Sequence, residues 1–147
     1  MLRTEQEYKV AKAQLSKLNE LSEKQREKFK AKGYAAKEVE NLMAPTITYA
    51  RQTVEEIEFY EQLLAGKVPA VSSFSSAGQL LVATRIAKKW TQRDLAQALG
   101  VSEAVVSRDE RNEYHAVTIE KAQRVAEALG AEVRVELLLT KKTPISA

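Results

Sequence analysis

Residues 91–114, TQRDLAQALGVSEAVVSRDERNEY, restrict what this chain can fold into more than any other stretch. Thr91 followed three residues later by Asp94 resembles a capping box, so a helix starts at Gln92. It runs over 92–99, and Gly100 supplies the positive φ of a sharp turn. Ser102 then caps a second helix, from Glu103 to about Asn112. Leu95, Leu99, Val101 and Val106 are the apolar residues that fill the angle between the two helices. Ala96 is small where they approach most closely. Two short helices at a steep angle form a unit that needs further helices to cover it.

The flanking sequence supplies them. A helix is expected over 79–88, with Leu80, Val82, Ala83 and Ile86 apolar. Another is expected over 118–129, capped by Thr118 and stopped by Gly130, with Ile119, Ala122, Val125, Ala126 and Leu129 on one face. Trp90 reads as a core anchor at the corner after the first of these. Residues 78–130 therefore make one compact five-helix domain.

Upstream, residues 4–32 contain no Gly or Pro and are dense in strong helix formers. Tyr8, Ala11, Leu15 and Leu18 recur at three and four residues, and the stripe weakens towards Ser22 and Phe29. Gly33-Tyr34 breaks this helix. A short helical stretch over 35–43 follows, and a second long helix begins near Pro45, whose missing N–H is harmless in a first turn. Ile47, Ala50, Val54, Ile57 and Leu64 fall on its seam, and Gly66 ends it. Two narrow stripes predict an antiparallel hairpin over 1–66, serving dimerisation or partner binding. Residues 67–77, KVPAVSSFSSA, read as a linker in which Phe74 staples onto the next helix and Ser75 or Ser76 caps it.

Beyond Gly130 the pattern changes period. Val133, Val135, Leu137 and Leu139 alternate with Glu132, Arg134 and Glu136, which is a strand pattern over 131–139. A lone strand leaves its backbone unpaired, so its simplest partner is the same strand of a second copy. The fold class expected is mainly α: hairpin 1–66, linker 67–77, helical domain 78–130, and a C-terminal strand and tail over 131–147. A homodimer goes with it.

Composition narrows the chemistry. There is no cysteine and one histidine, His115, so neither a disulfide nor a Cys/His metal site can be assembled. No Gly-rich phosphate loop and no paired carboxylates point to an enzyme or a cofactor, and His115 reads as a surface or phosphate-side residue. The longest uncharged run, between Lys67 and Arg85, is broken by Pro69 and Gly78 and cannot span a membrane. Residues 1–10 hold no apolar signal-type stretch, so a cytoplasmic location is expected. In residues 1–66 eleven Lys/Arg balance eleven Asp/Glu, while twelve against nine in 67–147 carry the whole net charge of +3.

Residues 85–130, above all TQRDLAQALGVSEAVVSR, resemble the phage-repressor/XRE family of helix-turn-helix DNA-binding domains. The resemblance rests on Gln at the start of the first helix, Leu-Ala, Leu-Gly-Val, the Ser cap, and Val-Ser-Arg followed by Glu. It implies that a double-stranded DNA operator is the partner and that the second helix enters its major groove. Ser102, Glu103 and Ala104, with Ser107 and Arg108 a turn later, would then face base edges. Arg108 suits guanine, Glu103 cytosine N4, and Ala104 a thymine methyl. Gln92, Lys88, Lys89 and Arg111 would contact phosphates. Arg85 and Glu110 occupy the positions of a structural ion pair. Two departures stand out: Asp109 replaces an apolar residue, and Glu103, Ala104 and Val105 replace the more usual Gln, Ser or Thr. The arrangement as a whole is similar to HigA/HipB-type antitoxins, which implies a self-repressing regulator that also binds a toxin protein. A stand-alone or phage-type repressor fits the same residues, as does a helix-turn-helix kept only for protein interaction.

Overall fold

The computed structural model describes residues 1–139. Thr4 opens the first helix, α1 (Glu5–Ala31), its hydroxyl accepting the Glu7 N–H at 3.1 Å. Glu5 and Glu7 in the first turn and Lys28 and Lys30 in the last suit the helix dipole. The second helix, α2 (Ala36–Leu64), is continuous. The expected short helix and separate long helix are one, and Pro45 lies in its interior. An interior proline removes a hydrogen bond and costs about 3 kcal/mol. Burying Val39 and Met43 just before it contributes roughly 1.5–3 kcal/mol each, which outweighs that cost and holds the turns ahead of Pro45.

The expected α2 seam holds at Ala50, Val54, Ile57 and Leu64, all buried or half-buried, fails at Ile47, and extends back to Met43 and Val39. Val39, Met43, Ala50, Ile57, Tyr60 and Leu64 lie at heptad-like spacing and are buried or half-buried, whereas Ile47 is 46% exposed. On α1 the stripe continues through Ser22 and Arg26 to Phe29, all half-buried. The two helices pack as a hairpin. Its closed end carries an edge-to-face contact of Phe29 with Tyr34, centroids 5.6 Å apart. Its open end stacks Tyr8 on Tyr60 at 5.0 Å, and the Tyr8 hydroxyl donates to Glu61 Oε1 at 2.6 Å.

A single 3-10 turn (Phe74–Ser76) leads into α3 (Ala77–Ala87). Ser73 caps the 3-10 turn, accepting the Ser75 N–H at 3.1 Å, while Ser76 holds the N-cap position of α3 without a side-chain hydrogen bond. Phe74 is no staple: it is 69% exposed. Then come α4 (Gln92–Leu99), α5 (Glu103–Arg111) and α6 (Ile119–Ala128), so the domain has four α-helices among the described residues, not the five expected, because the chain from Asn112 to Thr118 is a tight loop. Gly78 has a steric role. A Cβ there would stand 1.7 Å from the Glu113 carbonyl oxygen, so only glycine lets α3 lie against the chain after α5.

Leu2, Ala11, Ile57, Tyr60 and Leu63 share one apolar cluster with Val82, Ala83, Ile86, Leu95, Ala96, Val106, Tyr114, Val125 and Leu129. The open end of the hairpin is therefore part of the core of the C-terminal helices. Among the described residues there is no strand, and the expected strand over 131–139 is unpaired. Val133, Val135, Leu137 and Leu139 stand exposed. The reason is the absence of a second strand among the described residues: extended backbone becomes a strand only when a neighbour completes its ladder. Residues 140–147 of the expected tail lie outside the described residues. No helix among the described residues is long and apolar enough to cross a membrane.

Candidate nucleic-acid interface

The candidate interface is built from the N-terminal ends of α4 and α5. At α4 the capping box is complete. Thr91 Oγ1 accepts the Asp94 N–H at 3.1 Å, and Asp94 Oδ2 accepts from the Thr91 N–H and hydroxyl, each at 2.7 Å. Gly100 turns the chain at φ 68°. Ser102 has the extended backbone of a cap and its carbonyl accepts the Val105 N–H at 3.0 Å, but its hydroxyl makes no capping bond. That hydroxyl stays available to a ligand.

Helix α5 divides cleanly. Val106, Asp109 and Glu110 are buried, while Glu103, Ala104, Arg108 and Arg111 are exposed and Ser107 is half-buried. Ala104, Arg108 and Arg111 lie at four- and three-residue steps, so they share one face. The Arg108 side chain is 72% exposed.

What sets the rotation of that face is the polar centre behind it. The Arg85 Nε donates to Glu110 Oε1 at 2.5 Å and Nη2 to Oε2 at 2.7 Å. The same guanidinium donates to the carbonyls of Trp90 at 2.7 Å and Arg3 at 2.9 Å. Glu110 also accepts from Gln92 Nε2 at 2.8 Å. Arg85 and Glu110 are both buried, and their planar groups are matched donor for acceptor. Gln92 is thereby oriented at the start of α4, with its second amide hydrogen and its carbonyl oxygen left for another partner.

Several expected contacts sit differently. Lys88 is occupied elsewhere: its Nζ donates to the Leu129 carbonyl at 2.9 Å and lies 4.1 Å from the centre of the half-buried Trp90 ring. The open carbonyls at the end of α6 attract a cation, and Lys88 ties α3 to α6. Lys89 is exposed and takes the left-handed conformation, φ 59°, that ends α3. Glu103 is paired with Arg93, whose Nε is 3.1 Å from Oε2. Arg93 was missed in the sequence; the signal for it was its place in the first turn of α4, beside Gln92. Asp109, the acid in an apolar position, accepts from Lys121 Nζ of α6 at 2.5 Å and has Arg108 Nη2 at 3.6 Å. Lys121 was likewise missed, although a buried acid calls for a nearby base.

After α5 the backbone is strained. Glu113, Tyr114 and Ala116 all have positive φ, between 50° and 70°. Tyr114 is buried, and burial first, then the negative charge of Glu110, pushes its phenol far above the usual tyrosine value, so it stays neutral. This loop, with Arg108, Arg111, Thr118 and Lys121, walls a cleft of about 560 Å³ beside α5. His115 is half-exposed, its Nε2 3.9 Å from Glu113. The apolar residues expected at a dimer contact, Val133, Val135, Leu137 and Leu139, belong to the exposed segment after α6.

No curated protein and no solved structure matches the chain. Residues 81–135, which hold most of α3, all of α4, α5 and α6, and the first residues beyond, match the helix-turn-helix family HTH_3, the XRE type.

Proposed function

We propose that this chain is a DNA-binding transcriptional repressor that inserts α5 into the major groove of its operator. The observation that carries this reading is the outward line of Ala104, Ser107, Arg108 and Arg111 on a helix whose rotation the buried Arg85–Glu110 pair fixes. Arg108 reads a guanine, Ala104 meets a thymine methyl, and Glu103 keeps Oε2 on Arg93 while Oε1 accepts from a cytosine amine. Ser102, Gln92, Lys89 and Arg111 hold the backbone on either side. Lys88 does not take part. No catalytic step belongs to this reading.

The repressor acts as a homodimer, which brings two copies of α5 to half-sites about 34–36 Å apart. The exposed Val133, Val135, Leu137 and Leu139 support it, since an apolar segment of this kind is covered when it meets its copy. A partner protein, the toxin of a toxin–antitoxin pair, takes the hairpin. The exposed Val10, Leu21, Leu42 and Tyr49 support this part of the reading.

Fluorescence anisotropy with duplexes from the protein's own promoter region tests the DNA reading. Affinity should fall with salt, with a slope of about −0.9 per phosphate contacted. Arg108→Ala should relax specificity at one base pair and cost about 1–3 kcal/mol on the preferred site. No binding to any duplex at low salt would instead favour a helix-turn-helix that serves protein interaction alone. Removal of residues 131–147 should leave a monomer in sedimentation.

A further inference from the structure

We infer that the segment leading into α1 is part of the DNA interface, with Arg3 gripping a backbone phosphate beside Gln92. The inference deepens the proposed function and rests on it. Its basis is a cleft of about 640 Å³ where the start of α1 meets α3 and α4. Arg3, Lys89, Trp90 and Gln92 line it together with the acids Glu5 and Glu103. Gln92 and Glu103 are the first residues of α4 and α5, so the cleft opens beside the helix ends that face the groove.

The charges in this cleft are unequal. Glu103 is paired with Arg93, and Glu5 with Lys9 at 2.6 Å, a contact that holds the Glu5 carboxyl below its usual range. Both acids are therefore neutralised from outside the cleft. Among the described residues, neither Arg3 nor Lys89 has a carboxylate within 4.0 Å of its cationic nitrogens. The Arg3 Nε is shielded from solvent and has no hydrogen-bond partner, so the terminal nitrogens of the guanidinium are the ones that meet a phosphate. Two unmatched cations and a pre-oriented amide form a site for an anion, and a phosphate accepts from all three.

The Arg3 backbone is fixed at both ends. Its N–H donates to Glu7 Oε2 at 2.6 Å and its carbonyl accepts from Arg85 at 2.9 Å. One guanidinium thus anchors the start of α1, the Trp90 carbonyl and the recognition helix together. The start of α1 is thus positioned by the same group that positions α5.

Arg3→Gln keeps both backbone bonds and removes the charge, and Lys67→Gln, in the exposed linker, removes the same charge elsewhere. Duplex titrations between about 50 and about 200 mM salt should show the slope of log K against log salt reduced by about 0.9 for Arg3→Gln. Lys67→Gln should leave it unchanged, and Arg3→Lys should restore it. Trp90 is the one tryptophan and lines the cleft, so its emission should change when duplex binds and respond less in Arg3→Gln. Equal slopes for Arg3→Gln and Lys67→Gln, with wild-type protein binding normally, would overturn this inference alone. Failure of the wild type to bind any duplex would overturn the DNA reading and the inference with it. Inorganic phosphate reproducing the full Trp90 response while the Arg3→Gln slope stays wild-type would make the cleft a free-anion site and refute the backbone contact.

Discussion

Arg85 and Glu110 meet inside the core through two parallel hydrogen bonds, Nε to Oε1 at 2.5 Å and Nη2 to Oε2 at 2.7 Å. They lie on α3 and α5, and both are shielded from water. Glu110→Ala leaves a buried guanidinium with two carbonyl partners and no counter-charge, which costs about 3–5 kcal/mol. Arg85→Met combined with Glu110→Leu should recover most of that, because a buried pair against well-packed apolar groups roughly breaks even. Urea unfolding of the single and double variants measures both effects. A double variant no more stable than Glu110→Ala would show that the pair's geometry, not its charge balance, holds the two helices.

Asp109 and Lys121 form a second tie, between α5 and α6, at 2.5 Å. The carboxylate is buried and the lysine is 39% exposed. Lys121→Met should therefore cost less than breaking the first pair, about 1–3 kcal/mol, chiefly by leaving Asp109 without its donor. Adding Asp109→Leu should restore stability. The thermal midpoints of the two variants decide it: a double variant that stays as low as Lys121→Met refutes the stranded-acid account.

Gly78→Ala should reverse the usual sign of such a change. In an exposed helix interior, alanine for glycine stabilises by about 1 kcal/mol. Here the new Cβ would sit 1.7 Å from the Glu113 oxygen and 2.5 Å from its carbonyl carbon, both backbone atoms. Either α3 or the loop after α5 must shift, and overpacking of this kind costs about 1–3 kcal/mol or more. A variant as stable as wild type by calorimetry would mean that the loop yields easily.

Acid should dismantle the start of α4. The Thr91 hydroxyl first, and its N–H second, hold the Asp94 carboxyl below the ordinary aspartate value of 3.8. A group lowered in the folded state stabilises above its unfolded pKa, and that stabilisation is lost as pH falls through the folded value. Asp94→Asn should thus melt below wild type at neutral pH, and the gap should close as pH drops beneath about 4. A gap independent of pH would show that the cap depends on shape and not on the carboxylate charge.

Much of this was legible locally. The helix starts at Thr4, Thr91 and Thr118, the turn at Gly100 and the α6 stop at Gly130 follow from short-range capping and φ requirements. These depend only on neighbours within about four residues, which a sequence displays directly. The boundary at Pro45 was misplaced because burial of Val39 and Met43 outweighs a proline's local cost, and burial is decided by a partner helix. The alternation over 131–139 is legible in the sequence, but in the single chain the segment is unpaired, since a ladder needs a second strand.

The candidate site divides along the same line. The family resemblance pointed to Ala104, Arg108 and Arg111 as DNA-facing residues, and helical periodicity puts all three on one exposed face of α5. Tertiary structure alone decided that Lys88 faces the end of α6, that Arg93 holds Glu103, that Lys121 balances Asp109 and that Arg3 joins Lys89 and Gln92 at one cleft. Each of those pairings joins residues ten or more positions apart, apart from the Lys89–Gln92 neighbours. A long flexible cation has many acids and carbonyls within reach in a sequence, and only the packing of α1, α3 and α6 around α5 selects one.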